Sequence, residues 1–279
     1  MPHLTDFRFS AQSLQDYVEC PRRFLLRYIQ KLDWPAEQSN PYLAFEQYRY
    51  KGELFHICVD QYFHNIDPVL IEQQIHNDDL RTWWQHFLEF IQEQNFLHTV
   101  SEILFQASLG DHLLIAKFDL LAVTADHNVI IFDWKTIAGD RKPTHHILVE
   151  KMQTLIYPYI LCRAGLSVNG EQLAHPTNVT LQYWFPQYPH EPEPFKYSSV
   201  QMQQDQTQLR GLMEEIEIKT MGDFLMTEDE KRCRFCVYRS YCGRGDVAGN
   251  VLNEDQETAL NLDLDNLDLN FENIEEIVY

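Results

Sequence analysis

Nowhere in this chain of 279 residues is there a run near the roughly 18 consecutive apolar residues that a membrane helix requires. The opening stretch MPHLTDFRFSAQS has neither the basic block nor the apolar block of a secretory leader. These two absences lead to the expectation of a cytoplasmic globular protein with no membrane partner. No internal repeat is visible, which argues against a solenoid. Cysteine is scarce, at 6 residues, and without a secretion signal such thiols are expected to be free or metal-bound, not a disulfide framework. Basic residues are also few: 22 Lys and Arg stand against 42 Asp and Glu, a formal net charge of −20. That balance argues at first against a nucleic-acid partner, whose phosphates attract lysine and arginine.

The distribution of charge changes this reading. From Asp246 to Tyr279 there are 10 acidic residues and no basic one, so the preceding 245 residues carry 22 basic against 32 acidic groups. Within that body Arg22, Arg23, Arg27 and Lys31 cluster near the start. Lys231, Arg232, Arg234, Arg239 and Arg244 cluster near its end, with no acid between Lys231 and Arg244. A hydrophobic content of 44%, with 13% aromatic, supports a sizeable core. Periodicity predicts a helix from Ala11 to Gln30 capped by Ser10 and interrupted at Pro21, a second from Gly52 to Asn65, and one or two more between Val69 and Phe96. Strands follow over Ser101–Leu109, His112–Val123 and Val129–Lys135. Then come a helix over Glu150–Ala164, a strand over Val179–Phe185, the loop PQYPHEPEP and a helix over Gln201–Lys219. This order predicts an α/β domain over residues 1–245, with a mixed central sheet flanked by helices. Residues 246–279, where leucine alternates with acid, are expected to be a disordered acidic tail.

The stretch VIIFDWKT ends an apolar strand with Asp133 and Lys135, which project from one face with Trp134 opposite. An aspartate and a lysine at this spacing can be a plain surface ion pair. They can also mark a catalytic strand end, because a hairpin brings Asp119, on the preceding strand, close to Asp133. Two adjacent carboxylates are stable together chiefly around a divalent cation. Lys135 could then orient a water and stabilise charge developing on a phosphate.

In order and rough spacing, GELFH (Gly52–His56), AKFDLL with Asp119, IFDWKT with Asp133 and Lys135, and QTLIY (Gln153–Tyr157) resemble the motifs of RecB-like nucleases of the PD-(D/E)XK superfamily. The resemblance runs from about Phe9 to Arg244. It implies a restriction-endonuclease-like core and a Mg²⁺- or Mn²⁺-dependent deoxyribonuclease. It also implies His56, Asp119, Asp133 and the Trp134 carbonyl as metal ligands and Lys135 as the catalytic lysine, with Gln153 and Tyr157 supporting the site. Glu102 matches an acidic position on the first strand of the family, whereas Ala116 replaces the glycine usual three residues before the strand aspartate. Taken alone, His56 would read as an ordinary helix histidine, and Gln153 with Tyr157 as a simple i, i+4 pair.

Cys20, in VECPRRF, and Cys233, Cys236 and Cys242, in CRFCVYRSYC, form the second constellation. The C-x₂-C-x₅-C spacing points to thiolate ligation, and spacing does not distinguish zinc from an iron–sulfur cluster. One cysteine before a proline near the start and three near the end look like the [4Fe–4S] arrangement of AddB-type and CRISPR-associated RecB-like nucleases. That resemblance implies a small cluster lobe joining the two ends of the domain. The arginines interleaved with Phe235, Tyr238 and Tyr241 could form a strip for a DNA strand, or simply keep the lobe soluble. Cys58 and Cys162, among apolar neighbours, read as core thiols. The function implied is metal-dependent DNA hydrolysis, exonucleolytic by resemblance, in repair, recombination or CRISPR-type processing. The alternative is a catalytically idle nuclease fold serving as a DNA-binding scaffold. The acidic tail could occupy the DNA channel as an autoinhibitor, or dock a protein partner through its leucines.

Overall fold

Residues 7–34, 40–139, 141–168 and 171–245 are described by the computed structural model; the acidic tail lies outside the described residues. Ser10 ends β1 (Arg8–Ser10) and caps α1 (Ala11–Glu19). Its hydroxyl accepts from the Ser13 amide (3.1 Å) while the Ser13 hydroxyl accepts from the Ser10 amide (2.9 Å). The helix then breaks as Pro21 requires: Cys20 is extended, and α2 (Pro21–Phe24) restarts with proline at its first position before a π turn over Leu25–Ile29. Next come α3 (Asn40–Phe63), α4 (Pro68–Gln73) and α5 (Asp78–Gln92), so α3 begins well before the expected Gly52. The strands β2 (Phe96–Leu109), β3 (His112–Thr124) and β4 (Val129–Trp134) precede α6 (His145–Val149) and α7 (Met152–Ala164). A two-residue hairpin, β5 (Ser167–Val168) and β6 (Glu171–Gln172), leads to β7 (Val179–Trp184), β8 (Glu193–Lys196) and α8 (Ser199–Ile218).

Six strands make one mixed sheet, confirming the α/β expectation. Strand β2 runs antiparallel to β3, β3 to β4 and β7 to β8, whereas β4 is parallel to β7 and β1 is parallel to the start of β3. Among the strands of this sheet, three depart from the sequence reading. Strand β2 starts before Ser101 because Leu97, His98, Thr99 and Val100 are all exposed and give no one-sided alternation. Strand β1 has three residues, too few to show a period. Strand β8 arises inside the expected proline-rich loop, and Pro194 is tolerated because β8 is the sheet edge.

Helices cover both faces. Residues of α1, α7 and α8, among them Leu14, Ile156 and Leu209, build one core with Val129 and Ile131 of β4. The other core comes from α3, α4 and α5 with Phe132 and Trp134 of the same strand. It is strongly aromatic: the fully buried Phe87 ring lies within 6.4 Å of those of Phe55, Tyr62, Trp84, Trp134 and Trp184. Strand β3 changes faces along its length. Leu114, Ala116 and Phe118 enter the first core, as do Leu121 and Val123, so the two-residue alternation slips once, next to Asp119. Along the β3 edge that faces β1 and β4, β1 pairs with Leu113–Ile115 and β4 with Leu120–Val123. Residues 116–119 lie between these ladders.

Helix α3 approaches the segment after β4 closely. A Cβ added to Gly52 would lie 2.6 Å from Thr136 Oγ1, with the rest of the Thr136 side chain at 3.8 Å or beyond. In an open helix, Gly52→Ala would gain about 1 kcal/mol of helix propensity. Here the overlap is expected to reverse the sign, to a loss of about 1–3 kcal/mol in urea unfolding. Adding Thr136→Ala should restore stability and adding Thr136→Val should not, because only the first removes the obstructing γ atom. Phe87→Ala is expected to cost about 3–5 kcal/mol in the same measurement, through the cavity left in the aromatic core.

Candidate metal centre and active site

The site forms where the β3–β4 ladder stops. The last antiparallel pair is Leu120 with Phe132, and the Trp134 amide turns instead to the Asp119 side chain, donating to Oδ2 at 2.8 Å. Asp119 is thereby fixed at the mouth of the gap between the strands. From the aromatic side, α3 brings His56, four residues after Gly52 and on the same helix face. Its Nε2 lies 2.9 Å from the Trp134 carbonyl and its Nδ1 3.5 Å from Asp119 Oδ1. A carbonyl can only accept, so Nε2 carries a proton. In the neutral imidazole, Nδ1 then turns a lone pair toward a carboxylate, and that arrangement is relieved by protonating the ring or by a cation between the two.

Glu102 comes from β2. The pairs Ser101↔Leu120 and Ile103↔Phe118 place it opposite Asp119, and its backbone is left-handed, with φ +54°. For a residue other than glycine this costs about 1–3 kcal/mol, and such strain concentrates at functional sites. One ligand atom each from His56, Glu102 and Asp119 lies within 4.8 Å of the others, the group among the described residues that meets this spacing for a metal ion. Lys117 forms an ion pair with Glu102, and the Ser101 hydroxyl donates to Asp60 Oδ1 of α3 at 2.6 Å, tying β2 to the helix beside the site. None of Lys117, Ser101 and Asp60 was singled out from the sequence. The spacing of Lys117 from Asp119 and of Asp60 from His56 could have suggested two of them.

The two carboxyls are driven apart. Burial works to raise Asp119, but His56, Lys135 and the Trp134 amide outweigh it and hold the group below its ordinary value. Glu102 is raised, by burial first and then by the charge of Asp119, with Lys117 and His56 opposing only in part. Two carboxyl groups and an imidazole, one carboxyl held low and the other raised beside it, are a hard donor set that suits a divalent cation. The Trp134 carbonyl, expected as a ligand, is here the partner that orients His56, the usual support for a metal-binding histidine.

Asp133 lies on the other face of β4, buried, and the structure does not bring it into the three-residue group. Its Oδ2 is 2.8 Å from Lys135 Nζ, and its Oδ1 accepts from Gln153 Nε2 at 3.4 Å. Gln153 also donates to the Tyr157 hydroxyl at 3.1 Å, so α7 joins the strand end through that pair. Tyr157 is pushed well above its ordinary value, by burial and then by the Asp133 charge, and keeps its proton. The Lys135 amide donates to the Trp184 carbonyl at 2.9 Å, which prolongs the pairing with β7 and keeps the lysine on the Asp133 face. Its ammonium stands 5.8 Å from the Tyr183 ring centroid.

The cysteine set lies at the opposite ends of the described chain. Cys20 is buried, and burial followed by the nearby Cys236 pushes the Cys233 thiol up to about 11. Cys236 and Cys242 are also raised, by burial first, with Cys20 adding to each, which gathers the four cysteines in one neighbourhood. Four cysteine sulfurs gathered in this way have the donor chemistry of a soft cation or cluster. Cys58, at about 11, and Cys162, at about 12, are raised by burial alone, as suits core thiols. Several arginines of the two basic clusters are held by acids of their own lobe. Arg23 and Arg27 reach Asp16, Arg232 reaches Glu19 and Asp229, and Arg244 reaches Glu230. No helix among the described residues is long and apolar enough to cross a membrane.

Among solved structures, the chain is similar to SSO0001, with 14% identity over 84% of this chain and 85% of that one and a TM-score of 0.39. It is also similar to a candidate exonuclease from Eubacterium rectale, with 14% identity over 75% and 80% of the two chains and a TM-score of 0.42. A search of curated proteins found no match. The family profile described as the PD-(D/E)XK nuclease superfamily matches residues 8–243, from β1 through the last cysteine of the set, and the chain belongs to that superfamily.

Proposed function

We propose that this protein is a nuclease that hydrolyses phosphodiester bonds of DNA with Mg²⁺ or Mn²⁺ held by His56, Glu102 and Asp119. The observation that carries the reading is the convergence of those three ligand atoms within 4.8 Å beside the buried Asp133–Lys135 pair. When bound, the cation would polarise the phosphate and lower the pKa of water. Lys135, oriented by Asp133, holds its ammonium where it can position the attacking water and meet the charge that accumulates on the phosphate oxygens. Gln153 and Tyr157 fix Asp133, and hence the lysine, against the first core. His56 is held in one tautomer by the Trp134 carbonyl. On this assignment Glu102, more than Asp133, completes the ligand set, and Asp133 acts chiefly through Lys135. The four cysteines are proposed to hold a [4Fe–4S] cluster as a structural staple, zinc being the alternative for the same thiolates.

Three measurements test this. Lys135→Ala and Asp133→Asn should each lower DNA hydrolysis by about 10²–10⁴-fold, as measured on end-labelled and circular DNA, in variants whose circular dichroism shows the fold retained. Hydrolysis at the wild-type rate in a rigorously purified Lys135→Ala variant would remove the site. Asp119→Asn should abolish Mn²⁺ binding in calorimetry. Because the Glu102 carboxyl is raised, a proton competes with the cation there. Mn²⁺ affinity should therefore fall as pH is lowered through the mildly acidic range, and less steeply in Glu102→Gln. Binding of labelled DNA with no cation-dependent product would favour the idle scaffold instead.

A further inference from the structure

Glu19 and Arg232 each stand one residue before a cysteine of the four-cysteine set, Cys20 and Cys233, and they meet across the two ends of the described chain. Arg232 Nη1 lies 3.4 Å from Glu19 Oε1, which also accepts from Gln15 Nε2 at 3.0 Å. The other oxygen of Glu19 is taken by Arg23, whose Nε lies 2.8 Å from Asp16 Oδ1. Asp16 is itself buried and bound by Arg27 (2.9 Å) and by the hydroxyl of Tyr28 (3.2 Å). The carboxylate that faces Arg232 is therefore clamped from behind by a network rooted in α1, the helix that ends at Cys20. Arg23 also lies near enough to Cys236 for their charges to interact.

We propose that Glu19 and Arg232, with Arg23 behind them, form a latch that sets the position of Cys20 against Cys233 and so governs how firmly the four thiolates retain their metal centre. The proposal rests on the cysteine reading given above. An ion pair one residue from each of two ligands fixes their relative register directly, as partners just beyond a metal's own ligands do. The lobe does not depend on the latch for docking. The Arg22 amide donates to the Leu225 carbonyl (3.0 Å), the Tyr238 hydroxyl to the Leu32 carbonyl (2.9 Å) and Trp34 Nε1 to Ser240 Oγ (2.8 Å). Loss of the latch would thus shift one ligand against another without releasing the chain ends. Glu19 and Arg232 are positioning residues, acting through Cys20 and Cys233.

The test uses the full chain purified without oxygen, with iron, sulfide and zinc measured per chain, followed by the rate of metal loss to a chelator. Glu19→Gln and Arg232→Gln should each speed that loss about 10–100-fold. The double variant should be no faster than either single one, and Arg232→Lys should recover part of the retention. Thermal unfolding of the metal-free protein and Mn²⁺ binding at His56, Glu102 and Asp119 should not change. A wild-type chain with neither iron nor zinc would overturn the cysteine reading, and the latch with it. A loaded wild type whose variants release metal at its own rate would overturn the latch alone. So would faster release matched by an equal loss of stability in the metal-free chain. Arg232 is partly exposed, so its variant keeps the test open should Glu19→Gln fail to fold.

Discussion

The bond from the Trp134 amide to the Asp119 carboxylate is the contact around which the rest of the site is arranged. A continuing ladder would have paired β3 with β4 past Phe132 and closed the space where a cation and a phosphate could sit. Instead a side chain takes the amide, the strands part, and the next carbonyl along β4 is left to receive His56. The same residue thus supplies a donor to one proposed ligand and an acceptor to another. Its indole meanwhile is sealed among Phe87, Phe132 and Trp184. Trp134 thus joins the aromatic core to the site, its backbone facing Asp119 and His56 and its side chain packed in the core.

Strand alternation assigns two roles to the two sides of β4. Lys135 and Asp133 look toward α7, and His56 reaches in from α3, so the sheet end is gripped by helices from opposite faces. Gly52 permits the closer of these approaches, since any side chain there would meet Thr136. The strained backbone of Glu102 and the slip in the β3 alternation occur opposite each other, and together they turn two carboxylates toward one point. The cost is electrostatic as well as conformational, because burial and mutual repulsion leave Glu102 reluctant to ionise beside an ionised Asp119. A divalent cation held by the two carboxylates would relieve the electrostatic part of that cost.

The chain ends are governed by a different kind of force. Arginines that look in sequence like a nucleic-acid surface are directed to Asp16, Glu19, Asp229 and Glu230. Most of these pairs stay within one end of the described chain, and Arg232 with Glu19 adds an ionic contact across the two ends beside the hydrogen bonds of Arg22, Tyr238 and Trp34. Cys233, Cys236 and Cys242 sit within that ionic frame with Cys20 nearby, each of the three kept protonated chiefly by burial.

Much of this was legible in the order of residues. Strands β3, β4 and β7 and helices α7 and α8 were located to within a few residues, the strands as short apolar runs bounded by turn signals and buried on both faces. Pro21 marked the helix break, and the spacing of Asp133 from Lys135 placed them on one face. Pattern failed where burial is even or the element short: the exposed start of β2, the three residues of β1, and Pro194 in an edge strand. The sequence by itself thus determined which residues could lie on which face of which element, since that follows from local geometry. Only the tertiary structure decided that Glu102 joins His56 and Asp119, that Gln153 reaches across to Asp133, and that several arginines of the two basic clusters face acids. Those choices rest on where one ladder ends and on contacts between segments remote in the chain, which no local period encodes.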